Sequence, residues 1–182
     1  MKISVVFLDR DGVLNEDRDE YIRTVRDVKV YTYVPEAILQ LTRHALSVII
    51  ISNQSGINRN YFSRETAEKI FDKVIQTAES SGGRITDYYY CPHTPEERCS
   101  CRKPRTGMIH QAVVDHRISL DEALMVGDSH SDYETARSAG IPFILVRTGK
   151  GKKTEEELKT ADPDLMVVDN LKDAVSWIVR RT

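Results

Sequence analysis

The sequence predicts an α/β fold, a three-layer Rossmann-like parallel sheet with helices on both faces. Short, largely β-branched runs alternate with longer amphipathic ones along its 182 residues, which is the pattern of successive strand–helix units. Polar and ligand-type residues follow directly on one strand run after another, and open parallel sheets bind ligands outside the carboxyl ends of their strands. The length suits one domain over residues 1–182, and a 40% apolar, 30% charged composition is that of an ordinary globule.

The strands expected from these runs are residues 3–8, 46–51, 85–90, 123–126 and 143–146, with a sixth at 165–168. The helices are 35–44, 64–81, 107–116, 131–139 and 171–180, with a short one at 154–159. Pro35 suits a helix start, Ser63 a cap, and Gly140 a helix end that needs positive φ. Residues 15–34 and 91–106 fit neither period, and loops of that length in a compact domain usually carry function.

A formal charge of -2 and a pI near 6.2 give no electrostatic reason to expect nucleic acid. The apolar run after Met1-Lys2 ends at Asp9, too short for a secretory signal or a membrane span, so a cytoplasmic protein is expected. All three cysteines fall between Cys91 and Cys101, which reads as a reduced metal site and not a disulfide framework.

Asp9-Arg10-Asp11-Gly12 sets two carboxylates two residues apart behind the first strand, and Gly12 permits the turn that follows. Ser52-Asn53-Gln54 follows the second strand, and Gly127-Asp128-Ser129-His130-Ser131-Asp132 the fourth, where Ser129 or Ser131 also suits a helix cap. Asp9, Asp11 and Asp128 converging on one edge would raise one another's pKa unless a cation intervened. Mg²⁺ answers that need in a shell shared with phosphate oxygens and water. The chemistry requiring such a set is phosphoryl transfer to a carboxylate, with Ser52 and Lys103 as donors to the transferring group.

Cys91-Pro92-His93 and Cys99-Ser100-Cys101 form C-x-H-x5-C-x-C. Three thiolates and an imidazole suit a closed, structural Zn²⁺ site that folds the loop and so fixes Arg102-Lys103.

In order, and over nearly the whole chain, Asp9-Arg10-Asp11-Gly12, Ser52, Lys103 in Cys101-Arg102-Lys103-Pro104, and Gly127-Asp128 with Asp132 resemble the four motifs of the haloacid-dehalogenase superfamily. The resemblance implies Asp9 as nucleophile and Asp11 as general acid and then general base. It also implies Mg²⁺ held by Asp9, the Asp11 carbonyl and Asp128, with Asp132 behind them. No large insertion follows the first motif or precedes the lysine, so a capless member is implied.

The cysteine loop resembles a zinc-bearing branch that contains heptose-bisphosphate and histidinol-phosphate phosphatases. Ser52-Asn53-Gln54-Ser55-Gly56-Ile57, Tyr89-Tyr90-Cys91-Pro92-His93 and Leu145-Val146-Arg147-Thr148-Gly149-Lys150 look more like the heptose group. The implied substrate contacts are Asp17, Tyr21, Asn53, Gln54, Ser55, Arg102 and Ser129. The expected partner is a small sugar phosphate acting on a monomer, with neither nucleic acid nor membrane. A zinc-containing nucleic-acid end-processing phosphatase is the alternative of another class, and it would need a basic stripe with aromatics.

Gly149-Lys150-Gly151-Lys152 lacks the P-loop spacing and reads as an exposed turn. His44, His110, His116 and His130 read as surface or packing residues. Trp177 with Val175, Ile178 and Val179 reads as the buried face of the last helix.

Overall fold

The computed structural model describes residues 2–18 and 20–182. Six parallel strands, β1 (Val5–Leu8), β2 (Ser47–Asn53), β3 (Asp87–Cys91), β4 (Ala123–Gly127), β5 (Phe143–Val146) and β6 (Met166–Val168), pair in the order β3-β2-β1-β4-β5-β6. The helices are α1 (Val34–Arg43), α2 (Arg64–Ala78), α3 (Gly107–His116), α4 (His130–Ala139), α5 (Gly151–Leu158) and α6 (Leu171–Ile178). Among the described residues no helix is long and apolar enough to cross a membrane.

Strand alternation divides the core into two layers. Val6, Leu8, Val48, Ile50, Leu124 and Val126 face α1, α2 and α6 through Ile38, Leu41, Phe71, Val74, Leu171 and Ala174. Val5, Phe7, Ile49, Ile51 and Met125 face α3 and α4 through Met108, Ile109, Ala112 and Ala136. This is the expected three-layer α/β fold.

Several element starts follow the expected caps. Ser63 Oγ accepts from Thr66 N at 3.1 Å ahead of α2, Pro35 stands in the first turn of α1, and Gly140 closes α4 at φ 70°. Strand order reverses between β1 and β4, which pair directly with Leu8 beside Val126. That switch point brings the residues after β1 and β4 together.

The differences from the sequence reading lie at element ends. β2 continues through Ser52 and Asn53, and β3 ends on Cys91, because the parallel ladder between them runs on to the pair Asn53–Cys91. The loops at 15–34 and 91–106 each hold a short 3-10 turn, Val25–Asp27 and Pro95–Glu97. α5 begins at Gly151, not Thr154, and Gly151 is buried. Gly149 and Lys150 are exposed, as expected of a turn, and only Gly151 is packed inside. Trp177 is only half-buried and carries the Arg181 guanidinium 4.0 Å over its ring, while Val175 and Ile178 hold the buried face.

Candidate active site

Asp9 continues the line of β1, its N–H donating to Val126 O at 3.1 Å, so its side chain emerges at the switch point. Its Oδ1 accepts from the Arg10 N–H at 2.7 Å and faces Lys103 Nζ at 2.9 Å. Lys103 Nζ also meets Asp132 Oδ1 at 2.6 Å and donates to Ile51 O at 3.0 Å. Burial pushes Asp9 up to about 7; Lys103 opposes the rise, while Asp132 and Asp11 add to it. Burial works to lower Lys103, but Asp132 and Asp9 outweigh it and hold the ammonium above its ordinary value. Burial, then Asp132 and Asp9, push Asp128 well above the usual carboxylate range.

The carboxylate cluster differs from the expected one. Asp9, Asp128 and Asp132 offer oxygens within 4.8 Å of one another, whereas the Asp11 carboxylate is drawn aside. Arg10 grips it, with Nη2 at 2.9 and 2.7 Å and Nε at 3.1 Å, while Asn15 Nδ2 and Gln54 Nε2 donate at 2.8 and 2.9 Å. Burial alone would raise Asp11; the Arg10 guanidinium and these donors hold it below its ordinary value. Asp132 is fully engaged otherwise: Oδ1 takes Lys103 and Oδ2 takes Ser129 N–H and Oγ at 3.1 and 2.7 Å. Ser129 caps α4, so its hydroxyl serves the helix and Asp132 together.

Two crowded carboxylates with raised pKa values, Asp9 and Asp128, are a donor set that fits a hard divalent cation. The backbone beside them is shaped for close approach. A Cβ on Gly12 or on Gly149 would run into the Asp128 carboxylate, and both glycines have positive φ, 83° and 56°.

A cavity of about 290 Å³ opens above this set. Every substrate contact implied by resemblance, Asp17, Tyr21, Asn53, Gln54, Ser55, Arg102 and Ser129, lines it together with Asp9, Asp11, Ser52, Lys103 and Asp128. Some of those side chains have other engagements. Gln54 is buried and donates to Asp11 and, at 3.0 Å, to Ser52 Oγ. Asn53 is committed to the Lys103 backbone. Tyr21 OH and Ser55 Oγ lie 3.2 Å apart.

The cysteine loop closes next to this pocket. Sγ atoms of Cys91, Cys99 and Cys101 stand 3.2 to 3.5 Å apart, unbonded, with His93 Nδ1 at 3.4 and 3.3 Å from Cys91 and Cys101. A tetrahedron with ~2.3 Å zinc–sulfur legs has edges of about 3.8 Å, so Zn²⁺ fits after a small expansion. Arg102 Nη1 donates to His93 O at 3.1 Å, and Cys91 O accepts from Gln54 N at 2.7 Å, tying the loop to β2 and to the pocket.

Three residues escaped the sequence reading. Arg10 lies between the two aspartates, where strand alternation turns it to the Leu8 face; there it is buried against Phe71, its guanidinium 4.7 Å from the ring, and still reaches Asp11. Asn15 is the fully buried donor to Asp11 in a loop whose pattern carries no period. Lys150 lines the cavity, its N–H donating to Asp128 Oδ2 at 2.7 Å.

The strand order, its switch point and the aspartate–lysine set define a hydrolase fold of the haloacid-dehalogenase type, and the HAD-hydrolase-like family model matches residues 100–174. The chain is 38% identical over 155 residues to the D-glycero-beta-D-manno-heptose-1,7-bisphosphate 7-phosphatase of Pseudomonas putida, covering 85% of this chain and 89% of that one. The enzyme of the same name from Neisseria meningitidis serogroup A is 34% identical over 179 residues, 98% of this chain and 96% of the relative. Among solved structures, the D,D-heptose 1,7-bisphosphate phosphatase from B. bronchiseptica, complexed with magnesium and phosphate, matches with a TM-score of 0.90 and 31% identity over 99% of this chain and 100% of that one. The chain belongs to the haloacid-dehalogenase-like hydrolases and, within them, to the family of these heptose-bisphosphate phosphatases.

Proposed function

We propose that this protein is a phosphomonoesterase that removes the 7-phosphate of D-glycero-D-manno-heptose 1,7-bisphosphate through an aspartyl-phosphate on Asp9. The observation carrying the reading is the convergence of Asp9, Asp128 and Lys103 at the switch point, in a chain whose curated relatives bear that enzyme's name.

Asp9 Oδ1 is engaged by Arg10 N–H and Lys103, which leaves Oδ2 as the attacking atom. It bonds to phosphorus as the bond to the sugar oxygen breaks, and that oxygen takes the proton of Asp11. Water then attacks the phosphorus of the acyl phosphate, Asp11 takes its proton, and inorganic phosphate departs with Asp9 restored. Arg10 keeps Asp11 ionised, the form this second half requires, and the charge of an arriving phosphate raises its proton affinity for the first half. Lys103 and Ser52 donate to the oxygens that stay on phosphorus. Magnesium held by Asp9, the Asp11 carbonyl and Asp128 would neutralise phosphoryl charge. Zinc on Cys91, His93, Cys99 and Cys101 would hold the loop that carries Lys103.

The unbonded cysteines suit a reducing cytoplasm, where the protein would act as a single-domain monomer. Phosphate release over a panel of heptose 1,7-bisphosphates, histidinol phosphate and nucleotides tests the reading. Turnover should be fastest on a heptose bisphosphate; a preference for histidinol phosphate or a nucleotide end would overturn it.

A further inference from the structure

Lys150 touches the site twice, once through its backbone and once through its side chain. The backbone is locked. Its N–H donates to Asp128 Oδ2 at 2.7 Å, Thr148 Oγ1 donates to Gly12 O at 2.5 Å, and Thr154 Oγ1 donates to Asp128 O at 2.9 Å. The side chain reaches from that anchor to Asp17, on the loop behind β1, with Nζ 3.2 Å from Oδ2. Both residues line the cavity, Asp17 with its side chain 17% exposed and Lys150 with its side chain 60% exposed. The other Asp17 oxygen accepts from Arg18 N–H at 2.9 Å, which steadies the carboxylate.

We infer that Lys150, paired with Asp17, is a specificity-determining residue that grips sugar hydroxyls next to the transferred phosphate. The inference rests on the sugar-phosphatase reading and adds how the sugar is recognised. The pair offers an acceptor on Asp17 and N–H donors on Lys150 side by side with no net charge. That combination complements a neutral vicinal diol, which both donates and accepts, better than it complements a second phosphate. A polyol is distinguished sharply from an analogue without hydroxyls only where polar groups of the site would be left unpaired, and an ion pair at the pocket wall provides that penalty. The anchored backbone gives the ammonium a fixed origin, so its reach is set by the fold.

The test compares Lys150→Met, Lys150→Arg and Asp17→Asn on heptose 1,7-bisphosphate and on p-nitrophenyl phosphate, which carries no hydroxyls. Lys150→Met should lower kcat/KM on the sugar by roughly ten- to hundredfold, mainly through KM, with a far smaller loss on the aryl phosphate. Lys150→Arg should recover part of the sugar activity. The Lys150→Met/Asp17→Asn double variant should lose less than the product of the single losses. In an Asp9→Asn background, calorimetry should show Lys150→Met weakening the sugar bisphosphate more than inorganic phosphate. Equal losses on both substrates would mean that Lys150 acts only through Asp128, and no loss on the sugar would mean that it does not touch substrate; either result overturns the inference. A wild-type protein inactive on heptose bisphosphates would defeat the substrate reading itself, a separate outcome seen before any variant is made.

Discussion

Asn53 clasps the Lys103 backbone from both sides, its Oδ1 accepting from Lys103 N at 3.0 Å and its Nδ2 donating to Lys103 O at 3.1 Å. The last residue of β2 thereby fixes the residue that sets an ammonium 2.9 Å from Asp9. Removing the clasp with Asn53→Ala should lower kcat by roughly ten- to hundredfold, the cost of misplacing a reacting group by about 1 Å. KM should move less. A steady-state measurement in which KM alone rises would show that Asn53 binds substrate directly instead.

Asp9→Asn should lower kcat by several decades while sugar-phosphate binding persists, because an amide cannot form the acyl phosphate. Single-turnover kinetics and calorimetry on the same preparation separate the two effects. Retention of more than about a tenth of wild-type kcat would remove Asp9 from the nucleophile role.

Chelation should abolish turnover, and Mg²⁺ should restore it without added zinc, since the buried Asp9 and Asp128 pair suits a hard cation. Full activity in chelator-treated protein would refute the magnesium proposal.

Cys99→Ala should cost about one equivalent of bound zinc by elemental analysis while circular dichroism stays near native, because the two core layers do not depend on the loop. The loop also bears on Lys103, so kcat/KM should fall in the same direction as in Lys103→Ala. Zinc loss with wild-type kinetics would break the proposed link.

Gly149→Ala should damage the turn that packs against Asp128. The residue sits at φ 56°, and its Cβ would meet the Asp128 carboxylate and lie 2.6 Å from Gly12 Cα. Thermal unfolding should show a loss of about 1–3 kcal/mol, and activity should fall with it as Asp128 is displaced. Wild-type Tm and kinetics would mean that this turn can shift without disturbing Asp128.

Sequence alone was enough for the sheet, for Asp9, Ser52, Lys103 and Asp128 in one pocket, and for the cysteine cage. The reason is local: a buried strand announces itself by its apolar run, the residue after it must emerge at the carboxyl edge, and thiols are scarce enough that their spacing carries meaning. What only the tertiary structure decided depends on partners far apart in the chain. Strand alternation puts Arg10 on the Leu8 face, but only the packing shows that its guanidinium lies over Phe71 and reaches round to grip Asp11. Asn53 reads as one more polar strand-end residue until the ladder to Cys91 brings it against Lys103. Lys150 stands in a Gly-Lys-Gly-Lys stretch that looks like open loop, and it matters through a backbone N–H whose partner, Asp128, is set by the crossing of α4 and β5 back to the switch point. Backbone hydrogen bonds and long-range pairs leave no trace in residue type, so they became visible only when the strand order placed β1 beside β4.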